Sequence, residues 1–161
     1  MAKIILAKTA GFCFGVNRAV NMVYELLDSG KKVCTLGPII HNPQIVSELE
    51  SRGVRVISSP EETDSSQTLV IRSHGVGADV YKKANEIGTE IADATCPFVS
   101  KIHKIVSDAS QNGDTVLIAG DPAHQEVIGI VGHCKGPVYT FSDEEDLQNI
   151  IKNHPQMAGE S

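Results

Sequence analysis

The chain has 161 residues, 41% hydrophobic and 21% charged, with a formal net charge of −6. This composition is typical of a globular protein with a buried core, and the absence of a basic stripe argues against a nucleic-acid binder. No apolar run is long enough to cross a membrane, and the short N-terminal apolar run is too lightly flanked for a signal peptide, so we expect a cytoplasmic protein without membrane or nucleic-acid partners.

Short β-like runs alternate with helical patterns along the chain. Strands are predicted at 4–6, 32–36, 54–57, 68–72, 90–92, 115–119 and 138–141. Helices are predicted from Val16 to Gly30, after Asn42-Pro43, over 77–87, after Cys96-Pro97, from about residue 123 and after Ser142. The end of the chain, 153–161, has no periodicity and is expected to be loose.

This alternation predicts a three-layer α/β/α architecture, in which helices cover both faces of a mostly parallel sheet. The number of strands indicates one complete α/β domain over residues 1–96. Residues 97–161 are then expected to form an incomplete second domain of similar kind.

Five of the predicted strand-to-helix turns carry a cysteine or a histidine. In order they are Cys13, His41, His74, Cys96 and His124, spaced 22 to 33 residues apart, which is about one βα unit each. Ligands of open α/β sheets bind beyond the carboxyl ends of the strands. We therefore expect all five turns to meet at one edge of the fold.

Two of the four cysteines are placed for chemistry. Cys13 and Cys96 start helices, where backbone N–H dipoles lower a thiol pKa and favour the metal-binding thiolate. Cys34 lies within a strand and Cys134 at a helix end, so both are expected to pack as small hydrophobic residues. In a reducing compartment, disulfides are the poorer interpretation.

His41, His74 and His124 lie near helix starts, beside glycine or proline. Helix N-termini favour anions and imidazole N–H groups add donors, so a phosphate-sized ligand is indicated. The other histidines are expected to be structural: a solvated helix-face His103, a helix C-terminal cation at His133 and a tail residue at His154. Charged side chains that could assist the anion, but are more often solvated, are Lys3, Arg18 and Arg72.

Other constellations fit less well. A Cys13–His41 nucleophile pair gives the second helix-start cysteine no role. "HQE" at 124–126 is similar to the His-x-Glu of zinc deaminases, yet their P-C-x-x-C partner is missing. Phosphate-binding glycine fingerprints and C-x-x-C motifs are absent from the sequence.

Five segments together closely resemble the hydroxymethylbutenyl diphosphate reductases, the IspH or LytB family. They are "AGFCFGVNRAV", "LGPIIHNPQIVSEL", "VIRSHGV", "DATCPFVSKIHKIV" and "HQEVIGIVGHC". The resemblance implies three similar α/β domains around a 4Fe–4S cluster. It also implies reductive loss of the hydroxyl group of 4-hydroxy-3-methylbut-2-enyl diphosphate, which yields isopentenyl and dimethylallyl diphosphates in the last step of the non-mevalonate pathway.

By the same resemblance, Cys13 and Cys96 are two of three cluster ligands, and His41, His74 and His124 bind the diphosphate. Glu126 delivers protons to the leaving hydroxyl. The implied partners are the allylic diphosphate and an electron donor such as ferredoxin or flavodoxin.

Chains of this family continue past residue 161, and neither Cys34 nor Cys134 matches the third cysteine motif. The sequence is therefore interpreted as an N-terminal fragment that is inactive alone, with the third ligand outside it. Two alternatives stay open here. One is another iron–sulfur synthase or dehydratase with three-fold α/β repeats, such as the quinolinate synthases. The other is a cluster-free, non-enzymatic α/β module.

Overall fold

The structure, a computed structural model, describes residues 3–8 and 10–155. Its helices and strands, in chain order, are α1 (Phe14–Asp28), β1 (Lys32–Leu36), α2 (Pro43–Ser51), β2 (Arg55–Ile57), β3 (Gln67–Ile71), α3 (Ala78–Ile87), β4 (Glu90–Asp93), α4 (Pro97–Gln111), β5 (Val116–Ala119), α5 (Gln125–Val131), β6 (Val138–Phe141) and α6 (Glu144–Asn153). None of these helices is both long and apolar enough to cross a membrane. The last part of the predicted loose tail, 156–161, lies outside the described residues.

Four strands form a parallel sheet in the order β2-β1-β3-β4. In this sheet Val33 pairs with Thr68, and Leu69 pairs with Ile91. All five residues of β3 are buried, as expected for a central strand that is covered on both faces.

Helices lie on both faces of this sheet. On one face, Val23 of α1 and Leu49 of α2 pack in one cluster with Val33 and Val70. On the other face, Ala84 of α3 packs with side chains that alternate with the first set along β1 and β3. The predicted three-layer α/β/α architecture is confirmed.

A second, smaller sheet follows in the chain. It consists of β5 and β6, which are parallel and pair Val116 with Val138 and Ala119 with Phe141. Helix α4 contacts β5, and α6 contacts β6. The α/β class thus extends to this region, whereas a domain boundary at residue 96 stays a prediction.

The strand predicted at 4–6 is wrong. Residues 3–8 contain no strand, and Ile4, Ile5 and Leu6 are 89%, 76% and 84% exposed. A strand needs a neighbour for its backbone hydrogen bonds, and the described part of the chain gives this segment none. An apolar run alone therefore does not predict a strand, because the segment also needs a neighbouring strand.

Two helix starts show how local chemistry sets the bounds. The Asn42 side chain accepts hydrogen bonds from the N–H groups of Gln44 and Ile45, with proline at the first helical position of α2. At α6 the prediction is off by one residue, because Asp143 rather than Ser142 caps the helix by accepting from the Asp146 N–H.

Candidate functional site

The turns after β1 and β3 lie side by side at the edge of the first sheet. The strand order changes direction between these neighbours, and their following helices, α2 and α3, pack on opposite faces. Such a switch point leaves a crevice at the carboxyl ends of the strands. His41 lies in the first turn and His74 in the second, and their ring centroids are 5.7 Å apart.

The third predicted histidine reaches the same place from the second sheet. The ring of His124 is perpendicular to that of His74, with the centroids 6.1 Å apart. His124 caps α5, where its Nδ1 accepts a hydrogen bond from the Glu126 N–H at 3.3 Å. The proton of the neutral ring is therefore on Nε2, which makes that nitrogen a donor.

Arg72, named above as a charge that could assist an anion, lies near this histidine group. It directly follows β3, and its side chain is packed so closely that a Cβ on Gly37 would lie 2.6 Å from Nη1. Nη2 donates to the Gln125 side chain, while the buried Nε has no hydrogen-bond partner within residues 3–8 and 10–155. Burial lowers the pKa of the guanidinium, although an arginine remains charged at any ordinary pH.

A cavity of about 780 Å³ lies beside this arginine. His41 and Arg72 line it from the first sheet, and Gln125 and Ile128 line it from α5. Its walls are mostly glycines and aliphatic side chains, with the half-buried Arg72 and the carboxylate of Asp79 as charged groups, a combination typical of small-molecule sites. The position of Arg72 directly after a central strand is the sequence signal that could have identified it.

The local charges favour a neutral His74. Burial lowers the pKa of this imidazole, and the positive charge of Arg72 lowers it further, while the carboxylate of Glu126 acts in the opposite direction. A neutral imidazole can still donate one N–H to an anion. The cationic partner of an anion here would be Arg72.

Glu126 lies in the first turn of α5, is half-buried, and follows His124 by two residues. Both line a cavity of about 360 Å³ beyond β5, together with Asp121. The predicted carboxylate is thus next to the histidine group, and its effect on the pKa of His74 reflects that proximity.

Both predicted cysteine ligands start helices. Cys13 is the N-cap residue of α1 and is exposed, and Cys96 is the N-cap residue of α4 and is half-buried. Neither side chain caps its helix. A Cβ on Gly15 would lie 3.1 Å from Sγ of Cys96, so the thiol of Cys96 contacts the first turn of α1.

Backbone hydrogen bonds fix the turn that carries Cys96. Its N–H donates to the Ser73 carbonyl at 2.9 Å, next to His74. Arg18, the other arginine named as a possible charge for the anion, donates from α1 to the carbonyls of Thr95 and Asp93 at 3.2 and 3.1 Å. The start of α1, the start of α4 and the His74 turn are thereby held at one edge of the fold.

The cysteine set matches an iron–sulfur cluster only in part. Within residues 3–8 and 10–155, no three His, Cys, Asp or Glu side chains are grouped to hold a metal ion. Cys34 is fully buried and directs its thiol to the Thr68 carbonyl, and burial raises its pKa to about 11. The Cys134 thiol is directed to the Ile130 carbonyl. The expected packing role is confirmed for the buried Cys34, whereas that of the half-buried Cys134 stays a prediction.

Known proteins are similar to this chain in sequence and fold over nearly its whole length. The family model described as "LytB protein" matches residues 4–159. The chain belongs to the LytB family. Two curated relatives are the 4-hydroxy-3-methylbut-2-enyl diphosphate reductases of Geobacter sp. strain M21 and Geotalea uraniireducens, 44% and 46% identical over 148 and 150 residues.

This LytB chain spans about half the length of the curated relatives it matches. The two alignments cover 92% and 93% of the chain, but 52% and 53% of the relatives. A solved (E)-4-hydroxy-3-methyl-but-2-enyl diphosphate reductase, described as the terminal enzyme of the non-mevalonate pathway, superimposes with a TM-score of 0.79 at 42% identity. That superposition covers 94% of this chain and 55% of the other.

A reductase from Plasmodium falciparum superimposes with a TM-score of 0.80 at 27% identity, over 88% of this chain and 45% of the other. The family and fold expected from the five sequence motifs are therefore confirmed. The assignment of individual site residues stays a prediction.

Proposed function

We propose that this LytB chain is the substrate-binding and proton-donating part of a 4-hydroxy-3-methylbut-2-enyl diphosphate reductase. The observation that carries the proposal is the group of His41, His74 and His124 at the switch point, beside two helix-start cysteines. In the reaction, the allylic carbon–oxygen bond breaks, two electrons and two protons are taken up, and the hydroxyl leaves as water. The products are isopentenyl and dimethylallyl diphosphate.

The three histidines are proposed to bind the diphosphate. Two of them follow strands of the first sheet and the third caps α5, so their donors converge with backbone N–H groups of helix starts. Because the chain carries a formal charge of −6, binding of such an anion depends on local donors rather than on the overall field. Arg72 supplies the local positive charge.

Glu126 is proposed to deliver a proton to the leaving hydroxyl. Glu126 and Asp121 both line the cavity beyond β5, and Glu126 is the one whose backbone N–H donates to the His124 ring. A carboxylic acid within hydrogen-bond reach of a leaving oxygen is an ordinary general acid. The diphosphate held by the histidines would set the distance between that oxygen and the carboxyl group.

Cys13 and Cys96 are proposed to ligate an iron–sulfur cluster, which would supply the two electrons when bound. A third cysteine must come from outside the described residues. Large apolar side chains next to both cysteines support a covering segment, since Phe14 and Phe98 are 66% and 75% exposed. Ferredoxin or flavodoxin is the proposed electron donor.

Anaerobic iron and sulfide reconstitution tests the ligand assignment. The 161-residue chain alone is expected to take up little cluster and to show no turnover of the allylic diphosphate. Full cluster absorbance with turnover from this chain would contradict the need for a third ligand.

In a full-length reductase that contains these residues, Cys13→Ser and Cys96→Ser are each expected to lose iron and activity, whereas Cys134→Ser serves as the matched control and retains both. Unchanged iron content and activity in the first two variants would favour the cluster-free module instead.

A further inference from the structure

A second pair of histidines lies behind the candidate site. Sequence patterns predict a solvated His103 and a helix C-terminal cation at His133, but the first prediction is wrong: His103 is only 6% exposed. The two rings stack, with centroids 4.2 Å apart and planes inclined by 22°. His133 follows the end of α5 as predicted, yet its ring is part of a packed contact rather than a solvated end.

This pair contacts the loop that carries His74. His133 donates from Nε2 to the Val76 carbonyl at 3.0 Å. The His103 ring packs against Gly75 so closely that a Cβ there would lie 2.5 Å from Cε1. The two imidazoles therefore contact the two residues that directly follow His74.

The backbone of the same loop is held by further close contacts. Gly75 donates its N–H to the Arg72 carbonyl at 3.0 Å and has a positive φ of 70°. At Gly132, a Cβ would lie 2.6 Å from Cα of Gly77, and the Gly132 carbonyl accepts from the Ala78 N–H. The loop is thus enclosed between its own turn and the end of α5, with little room to reorient.

The chemistry of the pair points to placement of the loop rather than to stability alone. Among the described residues, the buried Nε2 of His103 has no hydrogen-bond partner, and such a group costs free energy that an apolar ring would not cost. Burial lowers the pKa of His103 to about 4, with a smaller contribution from His133 that Asp93 opposes. The ring that stacks on His133 is therefore uncharged at neutral pH, as a close imidazole contact requires.

We propose that His103 and His133 are positioning residues, which hold the Ser73–Gly77 loop so that the His74 ring meets His41 and His124 in one anion-binding group. The proposal rests on the proposed function, because the benefit of a fixed His74 is diphosphate binding. It extends that function to residues on α4 and at the end of α5, which reach the anion only through the loop.

A first experiment measures the loop without any ligand. Amide hydrogen exchange of Gly75 and Ala78, whose N–H groups donate to the Arg72 and Gly132 carbonyls, is followed in the protein and in the variants His133→Leu and His133→Gln. Leucine removes the donor to the Val76 carbonyl, whereas the glutamine amide can still donate. We expect roughly tenfold faster exchange in His133→Leu and near wild-type exchange in His133→Gln. Equal exchange in all three proteins would overturn the proposal.

A second experiment titrates inorganic pyrophosphate calorimetrically. His133→Leu is expected to weaken binding about tenfold, with His133→Gln within about threefold of wild type. His103→Phe, which keeps the ring against Gly75, is also expected to remain within about threefold. The matched control is His154→Gln, because His154 pairs with Tyr139 in the second sheet, away from the loop.

His74→Ala separates the two proposals. If His74→Ala weakens pyrophosphate binding and His133→Leu does not, the diphosphate site stands and the positioning role is wrong. If His74→Ala binds as tightly as wild type, the assignment of His74 in the proposed function fails, and hydrogen exchange still decides whether the pair fixes the loop.

Discussion

The two sheets differ sharply in how they are covered. In the first sheet every residue of β3 is buried and helices pack on both faces. In the second sheet β5 and β6 contain no fully buried residue, and α6 has none either. A two-stranded sheet has too little apolar area to form its own core. The first region therefore supplies most of the stability, and the second depends on its contacts with the first.

The largest expected effect tests this difference directly. Leu69→Ala in β3, where the side chain is fully buried, should lower the free energy of unfolding by about 4 kcal/mol. Leu117→Ala in β5, where 44% of the side chain is exposed, should cost about 0.5–1 kcal/mol. Urea denaturation of both variants measures the two values. Similar losses would mean that the two sheets share one core.

The next effect concerns the contact between the regions and depends on pH. His103 has a pKa of about 4 in the folded chain, below the ordinary 6.5, because of burial. Its neutral form therefore stabilises the fold fully above about pH 6.5, and this contribution decreases as the pH falls toward 4, because the unfolded chain binds the proton first. At about 1.4 kcal/mol per pKa unit, the loss is about 3 kcal/mol.

Denaturation at several pH values, with His103→Phe as the reference, measures this loss. His103 lines a small pocket together with His133 and Asp93. The other ionisable side chains of this pocket are Lys104 and Asp108. The phenylalanine variant should show a flatter profile between pH 6.5 and 4. If the stability of both proteins fell equally with pH, a group other than His103 would take up the proton.

Alanine substitutions at two glycines allow the contact with the His103 ring to be compared with an open turn. Gly75 and Gly113 both have positive φ, 70° and 92°, but only Gly75 has a neighbour in the way of a Cβ. Gly113→Ala should cost about 1 kcal/mol from backbone strain alone. Gly75→Ala should cost about 2–3 kcal/mol, because the His103 ring must also move. Equal losses would show that this ring gives way freely.

The smallest expected effect compares the helix caps of the two regions. Asn42 accepts from two backbone N–H groups at α2, whereas Asp143 accepts from one at α6. Asn42→Ala should cost about 1 kcal/mol of global stability. Asp143→Ala should mainly speed amide exchange in β6 and α6, since a weakly covered region can open locally. A global loss from Asp143→Ala as large as that from Asn42→Ala would contradict local opening.

Elements of this fold were predicted correctly where the pattern that specifies them spans only a few residues of the sequence. Asn42-Pro43 placed the start of α2, because a cap and a helix-compatible proline act within three residues. The apolar run at 68–72 predicted a strand, and the structure has β3 at Gln67–Ile71. The apolar run at 4–6 carried the same signal and failed, since a strand also needs a partner.

The candidate site divides in the same way. The sequence placed His41, His74 and His124 at strand-to-helix turns, and the structure brings their rings together. The sequence alone did not distinguish a buried His103 from a solvated one, because the residues that bury it, such as Gly75 and His133, are distant in the chain. Arg18 was named only as a possible charge for the anion, and its hydrogen bonds to carbonyl groups of the β4–α4 turn were not predicted for the same reason.

By itself, the sequence determined most of the order of strands and helices, the α/β class, the family and the turns that hold the candidate site residues, because periodicity, caps and motifs are short-range properties of the chain. Only the tertiary structure decided which turns are neighbours. The strand order β2-β1-β3-β4 sets His41 beside His74, and contacts from α4 and from the end of α5 place two imidazoles against the Ser73–Gly77 loop. Both outcomes depend on contacts between residues far apart in the chain, which no local pattern encodes.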